Sequence, residues 1–334
     1  MNSILKYFPV TIKEILEKEI TEVNDFVEEI RIRANKPIII KFNKKEKIIK
    51  YFVSSEEILK TLQLVCENSI YSYQHQIADG FVTIVGGHRV GVAGSCVIEN
   101  GKVININYIN SLNFRIARQI KGISREVLRY ILDLDQNTIL NTLIVSPPGV
   151  GKTTLLKDIT KQISSGIKLL KFKGLNVGIV DERGEIAALY KGVAQNDIGI
   201  KTDVMDNVSK AIGIKMLIRS MTPQVIIADE IGKEEDIDAI NYALCSGCKG
   251  IFTAHGKKMK DLYLNEVLKK MIEGNIFELI LFLDSKEKGK LEEVYLLNKN
   301  NMKYEKYEIN VKEGTNILHD WIEERKLNDF YKIF

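Results

Sequence analysis

The chain has no apolar run approaching the ~18 uninterrupted residues of a membrane-crossing helix, so no membrane span is expected in its 334 residues. It also lacks the pattern of a secretory leader. Lys6, Lys13, Glu14, Glu17 and Lys18 interrupt any apolar core near the N-terminus and leave an amphipathic helix over 11–20. Cysteine is scarce: four residues without framework spacing exclude a disulfide-stapled scaffold and fit a reducing compartment. The Cys245-Ser-Gly-Cys248 pair has no second pair and no nearby histidine cluster, so a zinc or redox centre is not expected there. A dominant charge is missing too. The 48 Lys and Arg against 44 Asp and Glu leave a net +4, and a nucleic-acid partner needs clustered basic residues rather than so small an excess. No basic groove interleaved with aromatics is visible, and the lysine-rich stretch 41–50 reads as solvated surface.

What is present suits a soluble globular protein with real cores: 45% of residues are hydrophobic and 28% charged. The length suits two domains, because single cores stop growing near ~250–300 residues. The first half alternates short apolar runs with turn signals. Strands are expected over 29–33, 37–41, 47–53, 81–85, 88–93, 103–108 and 112–117, with a helix over 55–68 capped by Ser54 or Ser55. An α+β domain over 1–122 follows, then a linker over 123–140 with a helix near 125–134. The second half, 141–300, changes to strand and helix in turn, the mark of an α/β fold with a mostly parallel sheet. Strands are expected over 142–145, 176–181, 225–229, 250–254, 276–284 and 292–297, and helices over 152–164, 208–221, 234–243 and 261–272. A C-terminal extension, 301–334, ends in an amphipathic stretch over 317–334 that holds the single tryptophan, Trp321.

The chemistry gathers around Leu143-Ile-Val-Ser146 and the residues after it. An apolar strand runs into Pro147, Pro148, Gly149, Val150, Gly151, Lys152, Thr153 and Thr154, which reads as a cradle for nucleotide phosphates. The glycines let backbone N–H groups turn toward β- and γ-phosphates, Lys152 supplies a point charge, and the Thr153 hydroxyl is a ligand for Mg²⁺. Such loops usually open on glycine; Ser146 stands in that place. A second apolar strand, 225–229, ends in Asp229 and leads into Glu230, suited to holding Mg²⁺ and to polarising an attacking water. The two strands are expected to be neighbours in the sheet. A third acidic group, Asp181, Glu182 and Glu185, lies between them in sequence and could orient water or start a helix. His255 closes another strand at the edge where parallel sheets bind ligands, and could donate a hydrogen bond to a γ-phosphate. Positive charge for the phosphoryl group could come from Arg89, Arg115, Arg118 or Arg219, or these could be surface ion-pair partners.

Four elements in this order, Ser146 to Thr154, Val180 to Glu185, Val225 to Gly232 and Phe252 to Gly256, resemble the secretion ATPases of type II and type IV systems and pilus machines. The Walker A, Asp box, Walker B and His box of that superfamily match 149–154, 181–185, Asp229-Glu230 and His255. Glu28 to Pro37, Gly86 to Gly94 and Ser111 to Arg118 further resemble the stage III sporulation AA family, a likeness spanning roughly 25–300. It implies a RecA-like P-loop NTPase domain behind a smaller α+β domain, with ATP and Mg²⁺ as ligands. No guanine-reading Asn-Lys-x-Asp is present. It further implies a homo-hexameric ring, membrane-protein partners of a sporulation channel, and a cytoplasmic place at the inner face of a membrane. Catalytic roles would fall to Glu230, Glu182, Glu185, Arg115, Arg118 and His255. From the residues alone, a nucleic-acid-stimulated ATPase and a nucleotide-gated scaffold with little hydrolysis stay open beside the motor.

Overall fold

Isoleucine alternating with polar residues builds the first sheet. The computed structural model describes residues 2–23, 27–43 and 45–307. By its contacts the chain divides into one unit of Met1–Arg118 with Ala188–Gln195, and a second of Gln119–Ala187 with Asn196–Phe334. In the first unit six strands run in the order Lys45–Phe52, Pro37–Phe42, Val27–Arg33, Lys102–Arg115, His88–Glu99, Phe81–Ile84. Every neighbouring pair is antiparallel. Ile30, Ile32, Ile38 and Ile40 are fully buried on one face, as a period of two requires. Their core also takes in Ile12 and Leu16 of helix Val10–Val23 and Ile58, Leu62 and Val65 of helix Ser55–Val65.

The second helix starts where it does because Ser54 caps it. Its hydroxyl accepts from the Glu57 N–H at 3.1 Å while the Glu57 carboxylate accepts from the Ser54 N–H at 2.9 Å. The strands expected over 103–108 and 112–117 are one strand, Lys102–Arg115, paired along its length with His88–Glu99. The register of the ribbon shifts at Gly94, where an added Cβ would lie 2.5 Å from the Asn107 carbonyl oxygen. One small element of this unit had no counterpart in the sequence reading. Leu189–Tyr190 and Val193–Ala194 form a hairpin whose two turn residues, Lys191 at φ 49° and Gly192 at φ 77°, have the left-handed backbone of a type I′ turn.

The second unit is organised by an eight-stranded sheet in the order Thr202–Asp206, Val177–Asp181, Val225–Ala228, Lys249–His255, Thr142–Ser146, Leu279–Leu283, Leu291–Asn298, Lys303–Tyr307. The first six are parallel and the last two antiparallel. Strands 142–146, 177–181, 225–228 and 279–283 are buried along their whole length, which explains their unbroken apolar runs. The expectation that 142–146 and 225–228 are neighbours fails: Lys249–His255 lies between them and pairs with both. The helix expected over 261–272 is two, Met259–Leu264 and Glu266–Glu273. Asn265 causes the break, because its side-chain oxygen accepts from the N–H groups of Val267 and Leu268 and so starts a new helix.

The segment 123–140 lies in this unit and carries helix Arg125–Ile131 and the short pair Leu132–Asp133 and Thr138–Ile139. Its start is tied to helix Lys152–Ser165. The fully buried Asp158 carboxylate accepts from the Gly122 N–H, the Ser124 N–H and the Ser124 hydroxyl. Cys245 and Cys248 are free thiols, one exposed and one buried. Of the expected C-terminal extension, Lys303–Tyr307 is the last strand of the sheet, while the amphipathic stretch over 317–334, with Trp321, lies outside the described residues. Among the described residues no helix is long and apolar enough to cross a membrane.

Candidate functional site

All of the site described here lies in the second unit, at the C-terminal edge of its parallel strands. Strand Thr142–Ser146 ends in the fully buried Ser146, and helix Lys152–Ser165 begins six residues on. Gly149 and Gly151 carry the turn between them at φ 78° and 104°, conformations that L side chains rarely adopt. A Cβ at Gly149 would meet nothing within 4 Å, so this glycine serves backbone conformation rather than packing. Pro148 and Gly149 are exposed at the tip and Val150 is buried beneath it. Thr153 and Thr154 sit half-buried in the first turn of the helix, whose free N–H groups and dipole favour an anion.

Lys152 is buried, and its Nζ donates to the Ser146 carbonyl at 2.8 Å, with the Ser146 hydroxyl and the Pro147 carbonyl each at 3.3 Å. Burial holds its ammonium below the ordinary lysine value, and the carboxylates of Asp229 and Glu230 work against that shift. Ser146 thus supplies both a backbone and a side-chain oxygen to the loop lysine.

The interposed strand Lys249–His255 brings the acids to this loop. Residues two apart on a strand face the same way, and Thr253 and His255 both contact the acid pair. The Thr253 hydroxyl donates to Asp229 Oδ1 and accepts the Glu230 N–H at 2.8 Å. Asp229 Oδ2 in turn accepts from the Thr153 hydroxyl at 2.7 Å. This puts a hydroxyl and a carboxylate oxygen side by side, hard oxygen donors of the kind Mg²⁺ takes. Glu230 has φ 54°, a left-handed backbone held by the bond to Thr253. Its Oε1 lies 3.2 Å from His255 Nε2, and His255 Nδ1 lies 3.1 Å from Lys152 Nζ. Because an ammonium can only donate, Nδ1 accepts and Nε2 carries the hydrogen directed at Glu230.

The loop after Val177–Asp181 completes the rim. The Asp181 carboxylate accepts from the N–H groups of Glu185, Ile186 and Ala187 at 2.7, 3.1 and 2.9 Å, which fixes the loop's path. Glu182 is paired with the buried Lys210 and with Lys233 at 3.5 Å. Burial alone would raise the Glu182 carboxyl, but the two ammonium groups outweigh it and hold it below its ordinary value. Beside Asp181, across paired strands, burial pushes the Asp206 carboxyl up, and the Asp181 charge adds to that. Glu185 is half-buried behind the turn. Arg183, at its tip, reaches Glu230 Oε2 with Nη1 at 2.7 Å.

Thr153, Asp229, Glu230, His255 and Lys152 are therefore brought into one connected group, with Glu182 on the neighbouring loop. Arg115 and Arg118 are exposed residues of the first unit, where the Arg118 guanidinium donates to the Val27 carbonyl at 2.8 Å. Sequence reasoning missed Arg183 and Thr253 as site residues. Thr253 could have been found from His255 by the period of two; nothing local marks Arg183.

Residues 1–302 match the family described as Sporulation stage III, protein AA. The stage III sporulation protein AA of Bacillus subtilis (strain 168) is 40% identical over 297 residues, 88% of this chain and 95% of that protein. Among solved structures, the ATPase DotB of Legionella pneumophila superposes with a TM-score of 0.55 at 14% identity, covering 88% of this chain and 83% of that one. The pilus retraction motor PilT, solved with bound ADP, gives 0.53 at 17% identity over 96% and 88%. At such identities the likeness concerns the fold alone, a RecA-like one.

Proposed function

The chain belongs to the Sporulation stage III, protein AA family, and from that footing we propose that it is a Mg²⁺-dependent ATPase motor of a sporulation-associated secretion or channel apparatus, driving transport or assembly at a membrane. The observation that carries the reading is the Thr153 hydroxyl at 2.7 Å from Asp229 at the mouth of the Gly149-to-Thr154 loop. It joins a phosphate cradle to a strand-end acid pair, the two halves of an NTP-hydrolysing site. Lys152 and the helix N-terminus bind the β- and γ-phosphates, Thr153 and Asp229 hold the metal, and Glu230 accepts the proton of the attacking water. Bound there, Mg²⁺ would neutralise charge on the phosphates. His255 keeps the Glu230 carboxylate oriented from one side. Glu182 through its lysine partners and Glu185 through its backbone N–H order the adjoining loop. The assembly is a homo-hexamer on the cytoplasmic face of a membrane, working with membrane proteins of the apparatus.

Glu230→Gln tests the chemistry: it removes the proton acceptor while keeping the side-chain shape. The variant is expected to bind ATP as the parent does and to turn it over about 100-fold more slowly, within the range general-base loss produces. Hydrolysis at the parental rate would remove Glu230 from the mechanism. Molar mass in solution with and without ATP tests the ring; a monomer under both conditions, with membrane partners present, argues against it.

A further inference from the structure

The loop that carries Arg183 is pinned on both sides of it. Asp181 spends its carboxylate on three backbone N–H groups, and its carbonyl accepts the Gly184 N–H at 3.0 Å to close a tight turn. Glu182 is held by Lys210 and Lys233. Arg183 is thus the charged side chain at the tip of an anchored turn; it is 67% exposed, and its Nη1 rests on Glu230 Oε2 at 2.7 Å. From there a continuous run of polar contacts leads back through His255 to Lys152. All of these residues belong to one unit.

Resting on the reading of this site as an ATPase, we propose that Arg183 is a catalytic residue that contacts the γ-phosphate and makes the site distinguish nucleoside triphosphate from diphosphate. The electrostatic argument is direct. A terminal phosphate reached by Lys152 on one side and by a water activated by Glu230 on the other sits next to a carboxylate, and two adjacent anions repel unless a cation is shared between them. A guanidinium has five donors in a planar fork, so it can keep one edge on Glu230 and give another to a phosphate oxygen. A diphosphate lacks the group that makes this demand. An exposed ion pair with no ligand role is worth little by itself, so the nucleotide-dependence of the effect separates the two.

Full-length protein is titrated with Mg²⁺ and either ADP or the non-hydrolysable β,γ-imido analogue of ATP, for the parent, Arg183→Ala, Arg183→Lys and Lys152→Ala. Arg183→Ala is expected to lose about tenfold or more in affinity for the imido analogue, the worth of one charged hydrogen bond. Its ADP affinity should stay within about twofold, because the β-phosphate contacts are untouched. Arg183→Lys should recover part of the triphosphate preference, since an ammonium keeps the charge but not the fork. If Arg183→Ala binds both nucleotides as the parent does, or loses both equally, the assignment of Arg183 is overturned while the ATPase reading stands. If the parent binds neither nucleotide, or Lys152→Ala binds both undiminished, the ATPase reading itself falls.

Discussion

Thr253→Val removes one oxygen from the molecule and with it two hydrogen bonds at the heart of the site. The Thr253 hydroxyl is fully buried; it donates to Asp229 and accepts the Glu230 N–H at 2.8 Å. Valine keeps the branch and nearly the volume, so packing around strand Lys249–His255 changes little. The Glu230 N–H then loses its acceptor, and a polar group left unpaired costs about 1–3 kcal/mol when buried; Glu230 is only partly buried, which places the loss near the lower end. That same bond holds Glu230 at φ 54°, a backbone that costs a side-chain-bearing residue roughly 1–2 kcal/mol. Without Thr253 the strain can relax, and the carboxylate moves off its line to the phosphate. We expect the turnover number to fall about 10- to 100-fold, equivalent to ~1.4–2.7 kcal/mol of transition-state stabilisation. The Mg²⁺ concentration for half-maximal rate should rise, because Asp229 loses one of the two hydroxyl donors that orient it. The melting temperature should fall by roughly 2–4 °C per kcal/mol lost. Phosphate release measured against Mg²⁺ and ATP concentration, with a thermal melt, reads all three. Thr253→Ser restores the hydroxyl and should recover most of the rate. A Thr253→Val variant within about twofold of the parent, a change too small for a lost catalytic contact, refutes the argument, as does a serine variant no better than the valine one.

Four further outcomes follow from single features. Glu182 has its folded value below the ordinary 4.5, so the unfolded chain binds the proton more readily. The stability it contributes is full above that ordinary value and disappears as pH falls through the lower folded one. Removing an ammonium with Lys210→Met should therefore lower stability near neutral pH and flatten the loss on acidification, read by denaturant unfolding from pH 7 downward; an unchanged acid limb counts against it. Burial pushes the Cys66 thiol up to about 11 and raises Cys248 as well, while Cys96 and Cys245 are exposed. Iodoacetamide at neutral pH should label Cys96 and Cys245 first and the other two only on unfolding, as mass spectrometry will show. Gly151→Ala forces a Cβ onto φ 104° with no contact closer than 3.9 Å; the expected cost, ~1–2 kcal/mol, is conformational, and ATP affinity should drop with it in a direct titration. Gly94→Val sets a Cβ 2.5 Å from the Asn107 carbonyl, so limited proteolysis should cut the 95–107 ribbon faster than in the parent.

What the sequence made legible and what it hid divide along the range of the interactions involved. The phosphate loop could be read directly because its chemistry is local: an apolar strand, two glycines at positive φ and a helix opening on Lys152 occupy one short run. The fully buried parallel strands announced themselves by composition, since burial on both faces leaves no polar alternation. Pairwise order in the sheet is another matter, because every apolar strand of such a sheet looks alike. Nothing in 225–228 or 142–146 tells that Lys249–His255 lies between them. Yet that one strand decides the site, for its period of two delivers Thr253 to Asp229 and His255 to Glu230 and Lys152. Helix 261–272 was misread for a related reason: periodicity carries through Asn265, and only the asparagine's bonds to Val267 and Leu268 reveal a second start. Arg183 was hidden most deeply. Its motif reads as three acids around a turn, and the acids are what catch the eye. In the folded chain Asp181 is engaged by backbone N–H groups and Glu182 by lysines, and the cation that follows them is left facing the Glu230 carboxylate. The electrostatic role of a short charged run is therefore set by which of its members the fold consumes in holding the run still, and here the fold holds it by two of its acids.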